Sequence, residues 1–349
     1  MIYLDLTKYN VQNEKPFSTS KLLGALQLQF RLMKDYWFNS KEIRTALYSI
    51  IQKEQPGIIH HNNEIFLNRN AIRAGIKAKA AQVVHERSLG NYGHNYVNLF
   101  ADKLLMKKVA ARIDISKAVA DHFDHLHPAT VSKKIVLHDV VDTKKFCAAA
   151  VDKNIKASLG IADDELVITS IGRIIKWKGQ HILIEAINLL KEKLGNFKVL
   201  FVGPDDDGIG SAEYKKELQQ LAVQYNLSDH IIFTGNRDDI PALINFSNVI
   251  VHSAIKPEPQ GLVVIETLLC NKPLIASGSG GSGELVEKYG GIALQRTDAA
   301  TLAEKLEEVL INKNIPVINH AKLKQDFDAE HQVSVLTQLY NKVLVQNAE

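Results

Sequence analysis

Two stretches of this 349-residue chain set charged side chains beside glycines in ways that suit an anionic, hydroxylated ligand. The first is Lys256-Pro-Glu258-Pro-Gln-Gly261-Leu262-Val263-Val-Ile-Glu266. The apolar run after Gly261 predicts a helix start, where free backbone N–H groups and a positive dipole end can hold a phosphate. Glu258 lies just ahead of that start, placed to accept hydrogen bonds from sugar hydroxyls. Glu266 lies eight residues after Glu258, about two turns on, and can reach back to another hydroxylated group. One carboxylate on either side of an anion pocket suits a nucleotide sugar. The second stretch is Ser170-Ile-Gly172-Arg173-Ile-Ile-Lys-Trp-Lys178-Gly179. A strand ends at the glycine, and Arg173 and Lys178 leave the loop before the next helix. Arginine offers a planar fork for phosphate oxygens and lysine a point charge. Alone, such a pair is an ordinary solvated surface feature; beside the Gly261 amides it would neutralise a diphosphate.

The elements that must position these residues follow a regular alternation. Leu166 to Ile171, Phe197 to Val202, His230 to Thr234, Val249 to His252 and Pro273 to Ala276 read as strands, with helices such as Gly179 to Leu194 and Glu213 to Tyr225 between them. Strands alternating with helices predict a doubly wound parallel sheet, with ligands beyond the carboxyl ends of its strands. The first half reads as helices with short strands. Lys21 to Phe38 carries an apolar face at helical spacing. Gly57 to His60, Ala81 to His85, Arg112 to Ser116 and Lys134 to Leu137 read as strands, and a helix runs from Lys117. A boundary near Asp142 to Ala150 divides the chain into residues 1–146 and 147–331, and a final helix of about Gln332 to Val345 is expected to return to the first unit. Two α/β domains also fit the length at roughly 150 residues each.

Composition excludes several classes. With 46% hydrophobic and 23% charged residues the chain is globular rather than disordered or fibrous. No run approaches the ~20 apolar residues of a membrane span, and the polar start is not a secretory signal. The two cysteines, Cys147 and Cys270, make no disulfide framework, which fits a cytoplasmic protein. The net charge of +3 hides an asymmetry. Through Phe146 there are 22 Lys+Arg against 13 Asp+Glu, a balance of +9; after it there are 20 against 26, a balance of −6. The basic half would face an anionic surface, and Lys103, Lys107, Lys108 and Arg112 form either a solvated helix face or a landing site for anionic lipid. Interleaved aromatics suited to base stacking are lacking there, so nucleic acid is not the expected partner.

Together the second-half segments resemble the retaining glycosyltransferases of family 4, group 1 glycosyl transferases with the GT-B fold of two Rossmann-like domains facing a cleft. The resemblance runs through Gly172-Arg173 with Lys178-Gly179, Phe201-Val-Gly203, Phe233-Thr-Gly235, the pair Glu258 and Glu266, Asn271-Lys-Pro273 and Gly280-Gly281 to Glu284. It implies a donor diphosphate held by Arg173 and Lys178 beside Gly172, with Gly261, Leu262 and Val263 at the helix start. It further implies Glu258 on the transferred sugar, Glu266 on the ribose, and Arg237 with Asn236 bordering the base. In the first half, Val84-His85-Glu86-Arg87 resembles the segment where the family sets a histidine toward the donor sugar. His138-Asp139 replaces the family's usual Asn-Gly. The family's opening glycine-rich loop has no counterpart among Gly24, Gly57 and Gly75, so a first domain short of its initial βα unit is expected.

Other patterns point elsewhere. Gly278-Ser-Gly280-Gly-Ser-Gly283 matches a dinucleotide-binding pattern, but the helix predicted after it, about Glu284 to Tyr289, is too short for that unit. In the glycosyltransferase reading these glycines would let backbone approach the donor. Asp205-Asp206-Asp207 sits in a turn and reads as solvated; His60, His61, His122, His125 and His127 read as surface or loop residues, so no metal or cofactor is expected beyond the nucleotide-sugar substrate. The resulting expectation is a glycosyltransferase with a nucleotide-sugar donor and a sugar or lipid-linked acceptor. It would act in cell-surface polysaccharide or lipopolysaccharide synthesis, in the cytoplasm or at the inner face of a membrane. The alternatives are a sugar-nucleotide 2-epimerase of the same fold and a non-catalytic nucleotide-sugar-binding protein.

Overall fold

The computed structural model describes residues 41–90, 96–127, 133–205 and 211–348; the segment Lys21 to Phe38 lies outside them. Helix α1 (Lys41–Glu54) precedes a parallel sheet formed in chain order by β1 (Ile58–Asn62), β2 (Ala81–Glu86), β3 (Ala111–Asp114) and β4 (Lys134–Val136). The crossovers are α2 (Ile65–Lys77), α3 (Tyr96–Met106) and α4 (Lys117–Leu126). One face of this sheet buries Val84 with Ile65, Ile72, Met106 and Phe123. The other buries Val83, Ala111 and Ile113 under Leu339 and Val343 of the last helix, α13 (Ala329–Ala348). Covered on both faces, β2 is buried along its whole length, Gln82, His85 and Glu86 included.

The second sheet has six parallel strands. After α5 (Lys153–Ser158), β5 (Leu166–Ile171), α6 (Gln180–Leu194), β6 (Phe197–Val202), α7 (Ser211–Gln224) and β7 (Ile231–Gly235) build outward in one direction. Following α8 (Ile240–Phe246), the chain returns to the other side of β5 with β8 (Val249–His252). From there α9 (Leu262–Leu269), β9 (Leu274–Ser277), α10 (Gly280–Tyr289) and β10 (Ile292–Leu294) build the opposite way, giving the order β10-β9-β8-β5-β6-β7. Helices α11 (Ala299–Leu310) and α12 (His320–Phe327) complete the unit. Ile168, Val249, Val251 and Ile275 pack on one face under α6 and α11, and Ile250, Leu274 and Ala276 on the other under α9, α10 and α12. The direction of building reverses between β5 and β8. In sheets of this kind such a reversal marks where ligands settle, in a crevice beyond the carboxyl ends of the strands.

Three sequence expectations are corrected. Helix α10 begins at Gly280 rather than Glu284, and Gly280 and Gly281 at its start pack on the backbone of residues 258–260. Arg112 belongs to no exposed basic face. It is 1% exposed, its Nε donates to Asp114 Oδ2 at 2.9 Å, and its Nη2 meets Asp124 Oδ1 at 2.9 Å. His61 and His127 are buried rather than on the surface; His61 Nε2 lies 2.7 Å from Gln82 Oε1 inside the sheet.

Candidate active site

The crevice at the direction switch brings together residues distant in sequence. The loop after β5 carries Gly172, Arg173 and Lys178; the loop after β8 carries Glu258 and Gly261. They meet in an ion pair between Lys178 Nζ and Glu258 Oε1. Two main-chain features seat the pair. A Cβ on Gly179, whose φ is +71°, would stand 2.0 Å from Ser253 O, so only glycine lets the two loops come this close. Ile255 N donates to Trp177 O at 2.8 Å and Ser253 Oγ to Gly179 O at 2.9 Å, stitching one loop to the other.

Glu258 is 5% exposed, and its second oxygen, Oε2, lies 3.1 Å from His252 Nε2. Burial alone would raise its pKa, but His252 and Lys178 outweigh that and hold the carboxyl down at about 2. His252 ends β8, is itself buried, and escaped the sequence reading. Its only signal there is its place at a strand end, six residues before Glu258.

Gly261 caps the start of α9 in the left-handed region, with φ +88°, and a Cβ there would touch Glu258 Oε2 at 3.5 Å. Leu262 is exposed and Val263 half-buried at this helix start. Glu266, further along the helix, is half-buried with no ion pair among the described residues; burial pushes its carboxyl up to about 7 against the pull of Lys145. Arg173 is exposed, and among the described residues its guanidinium has no side-chain partner. Gln180 Nε2 fixes its backbone by donating to Arg173 O at 2.9 Å. Arg237 is already engaged, its Nε donating to Asp239 Oδ1 at 2.8 Å in a forked pair.

His85 stands at the end of β2 in the other sheet. It is 6% exposed, its ring is 5.5 Å from that of His60, and burial, Arg87 and His60 push its pKa down to about 3. It is therefore neutral at pH 7, and among the described residues it makes no contact with the Lys178–Glu258 pair. The two sheets nevertheless touch through the loop that carries Glu258. Ser116 Oγ donates to Pro259 O, and Asp139 N donates to Gln260 Oε1 at 3.1 Å. Glu284 Oε2 accepts from Ala118 N at 3.1 Å, at the start of α4. Asp139, where the family was expected to have glycine, also pairs with Arg87.

Two glycines of the 278–283 segment pack on the acidic loop. A Cβ on Gly280 would stand 2.5 Å from Glu258 O, and one on Gly281 would stand 2.4 Å from Pro259 O. Gly280 and Gly281 thus admit the backbone of residues 258–260. Asp205 is paired with Lys215, and Asp206 and Asp207 lie outside the described residues. Two hollows of about 670 and 710 Å³ share Lys117, Glu284 and Glu287 in their walls and include none of Arg173, Lys178, Glu258 or Glu266.

Residues 151–327 match the family model of the glycosyl transferases group 1. An uncharacterized glycosyltransferase of Methanocaldococcus jannaschii is 26% identical over 262 residues, 72% of this chain and 64% of that protein, so the chain spans less than two-thirds of that relative's length. The UDP-Gal:alpha-D-GlcNAc-diphosphoundecaprenol alpha-1,3-galactosyltransferase of Escherichia coli is 22% identical over 86% of this chain and 79% of its own. Among solved structures, Anabaena HepE in complex with UDP and glucose superposes with a TM-score of 0.72 at 25% identity, covering 85% of this chain and 80% of its own. With its two parallel α/β sheets the chain has the GT-B architecture of these neighbours.

Proposed function

The chain belongs to the glycosyl transferases group 1 family, and on that premise we propose that it moves a sugar from a nucleotide diphosphate donor to an acceptor with retention at the anomeric carbon, as a member of family 4. The observation that carries this reading is the meeting of Lys178 and Glu258 at the direction switch of the second sheet, beside the Gly261 helix start. A helix N-terminus and a lysine converge there on one buried carboxylate, and Arg173 leaves the same loop as the lysine. The donor diphosphate lies against Arg173, Lys178 and the Gly261–Val263 amides, near Gly172. Together they stabilise the charge that develops on the leaving group, the main electrostatic demand of the step. Glu258 accepts from the transferred sugar and Glu266 from the ribose. Arg237 borders the base and His85 faces the sugar from the other sheet. No side chain is placed as a nucleophile, so the acceptor attacks on the face that the diphosphate leaves, and the departing phosphate takes the acceptor proton.

A nucleotide-sugar donor is supported by the HepE neighbour, whose structure holds UDP and glucose, and makes UDP-sugars the first donors to assay. A lipid-linked acceptor in cell-surface polysaccharide or lipopolysaccharide assembly, reached from the cytoplasmic face, is supported by the lipid-diphosphate acceptor in the E. coli relative's name. Among the described residues no helix is long and apolar enough to cross a membrane. Helix α3 and the turn after it expose Phe100 and Leu104 beside Lys103, Lys107 and Lys108, a face suited to an anionic bilayer. The matched family and the relatives' names favour transfer over epimerisation. The test is a turnover screen across UDP-, GDP- and ADP-sugars, with and without acceptor, comparing wild type with Glu258→Ala. Turnover that survives Glu258→Ala unchanged refutes the site. A new sugar nucleotide formed without acceptor refutes transfer.

A further inference from the structure

Lys178 faces two anions in the proposed reaction. It is the ion-pair partner of the Glu258 carboxylate, and it is the lysine assigned to the donor diphosphate. When the diphosphate arrives, its charge competes for the same ammonium. Glu258, 5% exposed, would then lose its cation in a place where an uncompensated carboxylate is expensive. One further polar side chain stands at hand. His252 is 3% exposed, and its Nε2 lies 3.1 Å from Glu258 Oε2, the oxygen that Lys178 does not hold. The two atoms stand within reach of a hydrogen bond, and among the described residues neither ring nitrogen has another partner. A modest rotation of the imidazole, with its proton on Nε2, completes the bond without importing a charge.

We propose that His252 is a positioning residue, which keeps the Glu258 carboxylate aimed at the transferred sugar once Lys178 turns to the donor diphosphate. The proposal rests on the roles given above to Glu258 and Lys178. It also accounts for a histidine at a strand end where every neighbouring position is apolar or small: Val249, Ile250, Val251, Ser253 and Ala254.

Two measurements on the full-length protein test it. The first needs no turnover: the ¹⁵N resonances of the histidine rings are followed in wild type and in Glu258→Gln. The His252 Nε2 signal is expected to move while that of a distant ring such as His230 stays in place, and an unmoved His252 signal overturns the contact. The second is steady-state kinetics with the donor found active in the screen, alongside calorimetric affinity for the free nucleoside diphosphate. Losing a hydrogen bond to a charged group predicts that His252→Ala lowers kcat about ten- to a hundred-fold, with diphosphate affinity changed by less than about three-fold. His252→Gln, which can still present an N–H, should recover part of kcat. Adding His252→Ala to Glu258→Ala should cost nothing further. If Glu258→Ala is inactive while His252→Ala turns over like wild type, the positioning role fails and the reading of Glu258 stands. If Glu258→Ala is itself fully active, the reading beneath the proposal fails. A fall in diphosphate affinity and thermal stability along with kcat, with no recovery in His252→Gln, means that His252 only packs the strand end.

Discussion

Gly280→Ala is a sharp probe of how the second sheet aims its acidic loop. Gly280 has φ +66°, so any side chain pays for a left-handed conformation, ~1–2 kcal/mol. The new Cβ would also stand 2.5 Å from Glu258 O and 2.7 Å from Glu258 N, where ordinary contacts begin at 3.4 Å. Both neighbours are main-chain atoms, so no side chain can swing aside. The Glu258 backbone must retreat by about 0.9 Å, the difference between 3.4 and 2.5 Å, and the 2.7 Å bond from Gly281 N to Glu258 O stretches or breaks. A misplacement of about 1 Å at a catalytic centre can cost ~10²-fold in rate. Gly160→Ala supplies the control: its φ is +69°, and nothing lies within 4 Å of a Cβ there. Both variants should lose stability in thermal unfolding, Gly280→Ala the more because its clash adds to the shared backbone cost. Only Gly280→Ala should lose kcat, by about a hundred-fold, in a sugar-transfer assay. Wild-type kcat in Gly280→Ala would refute the claim that these glycines exist to seat Glu258.

Arg173→Ala should weaken calorimetric binding of the free nucleoside diphosphate by about ten- to a hundred-fold, the range for hydrogen bonds to a charged group; an unchanged affinity removes it from the phosphate site. Glu86 is 1% exposed and accepts from Ile65 N at 3.0 Å; burial, with Asp114 and Glu64 adding, pushes its carboxyl up to about 8. A raised carboxyl favours the folded state fully below its ordinary range near 4.5, and that contribution is lost as pH climbs toward about 8. Glu86→Gln should therefore gain Tm over wild type increasingly from pH 5 to pH 8.5, and a pH-independent difference would show that Glu86 is ionised throughout. Replacing Lys103, Lys107 and Lys108 with Glu should abolish sedimentation with anionic vesicles at low salt while leaving Tm within about 1 °C, since exposed substitutions change stability little; retained sedimentation sinks the bilayer assignment.

The second sheet was legible in the sequence almost to the residue. Leu166–Ile171, Phe197–Val202 and Val249–His252 fall where the apolar runs place them. Strands buried on both faces leave little freedom in where a run can start and stop. Elements held by contacts rather than by their own pattern were harder to read. The three-residue edge strand β10 has no run long enough to announce itself, and the glycine-led start of α10 packs on the 258–260 loop. In the site, charged residues beside glycines could be found by type. His252 could not, because its chemistry comes from a carboxylate that folding brings to it. Lys178 and Glu258 are 80 residues apart and meet because β5 and β8 are neighbours across the direction switch, which spacing alone does not reveal.

The same distinction changes what the charge asymmetry means. An excess of nine positive charges through Phe146 suggests a broadly basic surface. Ion pairing leaves that excess unchanged, but it decides which cations carry it. Arg69 is closed on Asp102, Arg87 on Asp139, Arg112 on Asp114 and Asp124, Lys134 on Asp124, and Lys117 on Asp121. Arg69, Arg87 and Arg112 hold strands, helices and loops of this half together, and their fork geometry suits that task. Among the described residues, three exposed lysines gather on α3 and its following turn beside Phe100 and Leu104. Any electrostatic attraction of this half to a bilayer should therefore follow those lysines and be screened by salt over about 10 Å at 0.1 M. Charge reversal elsewhere in the half, as at the buried Arg112, should cost folding rather than vesicle binding.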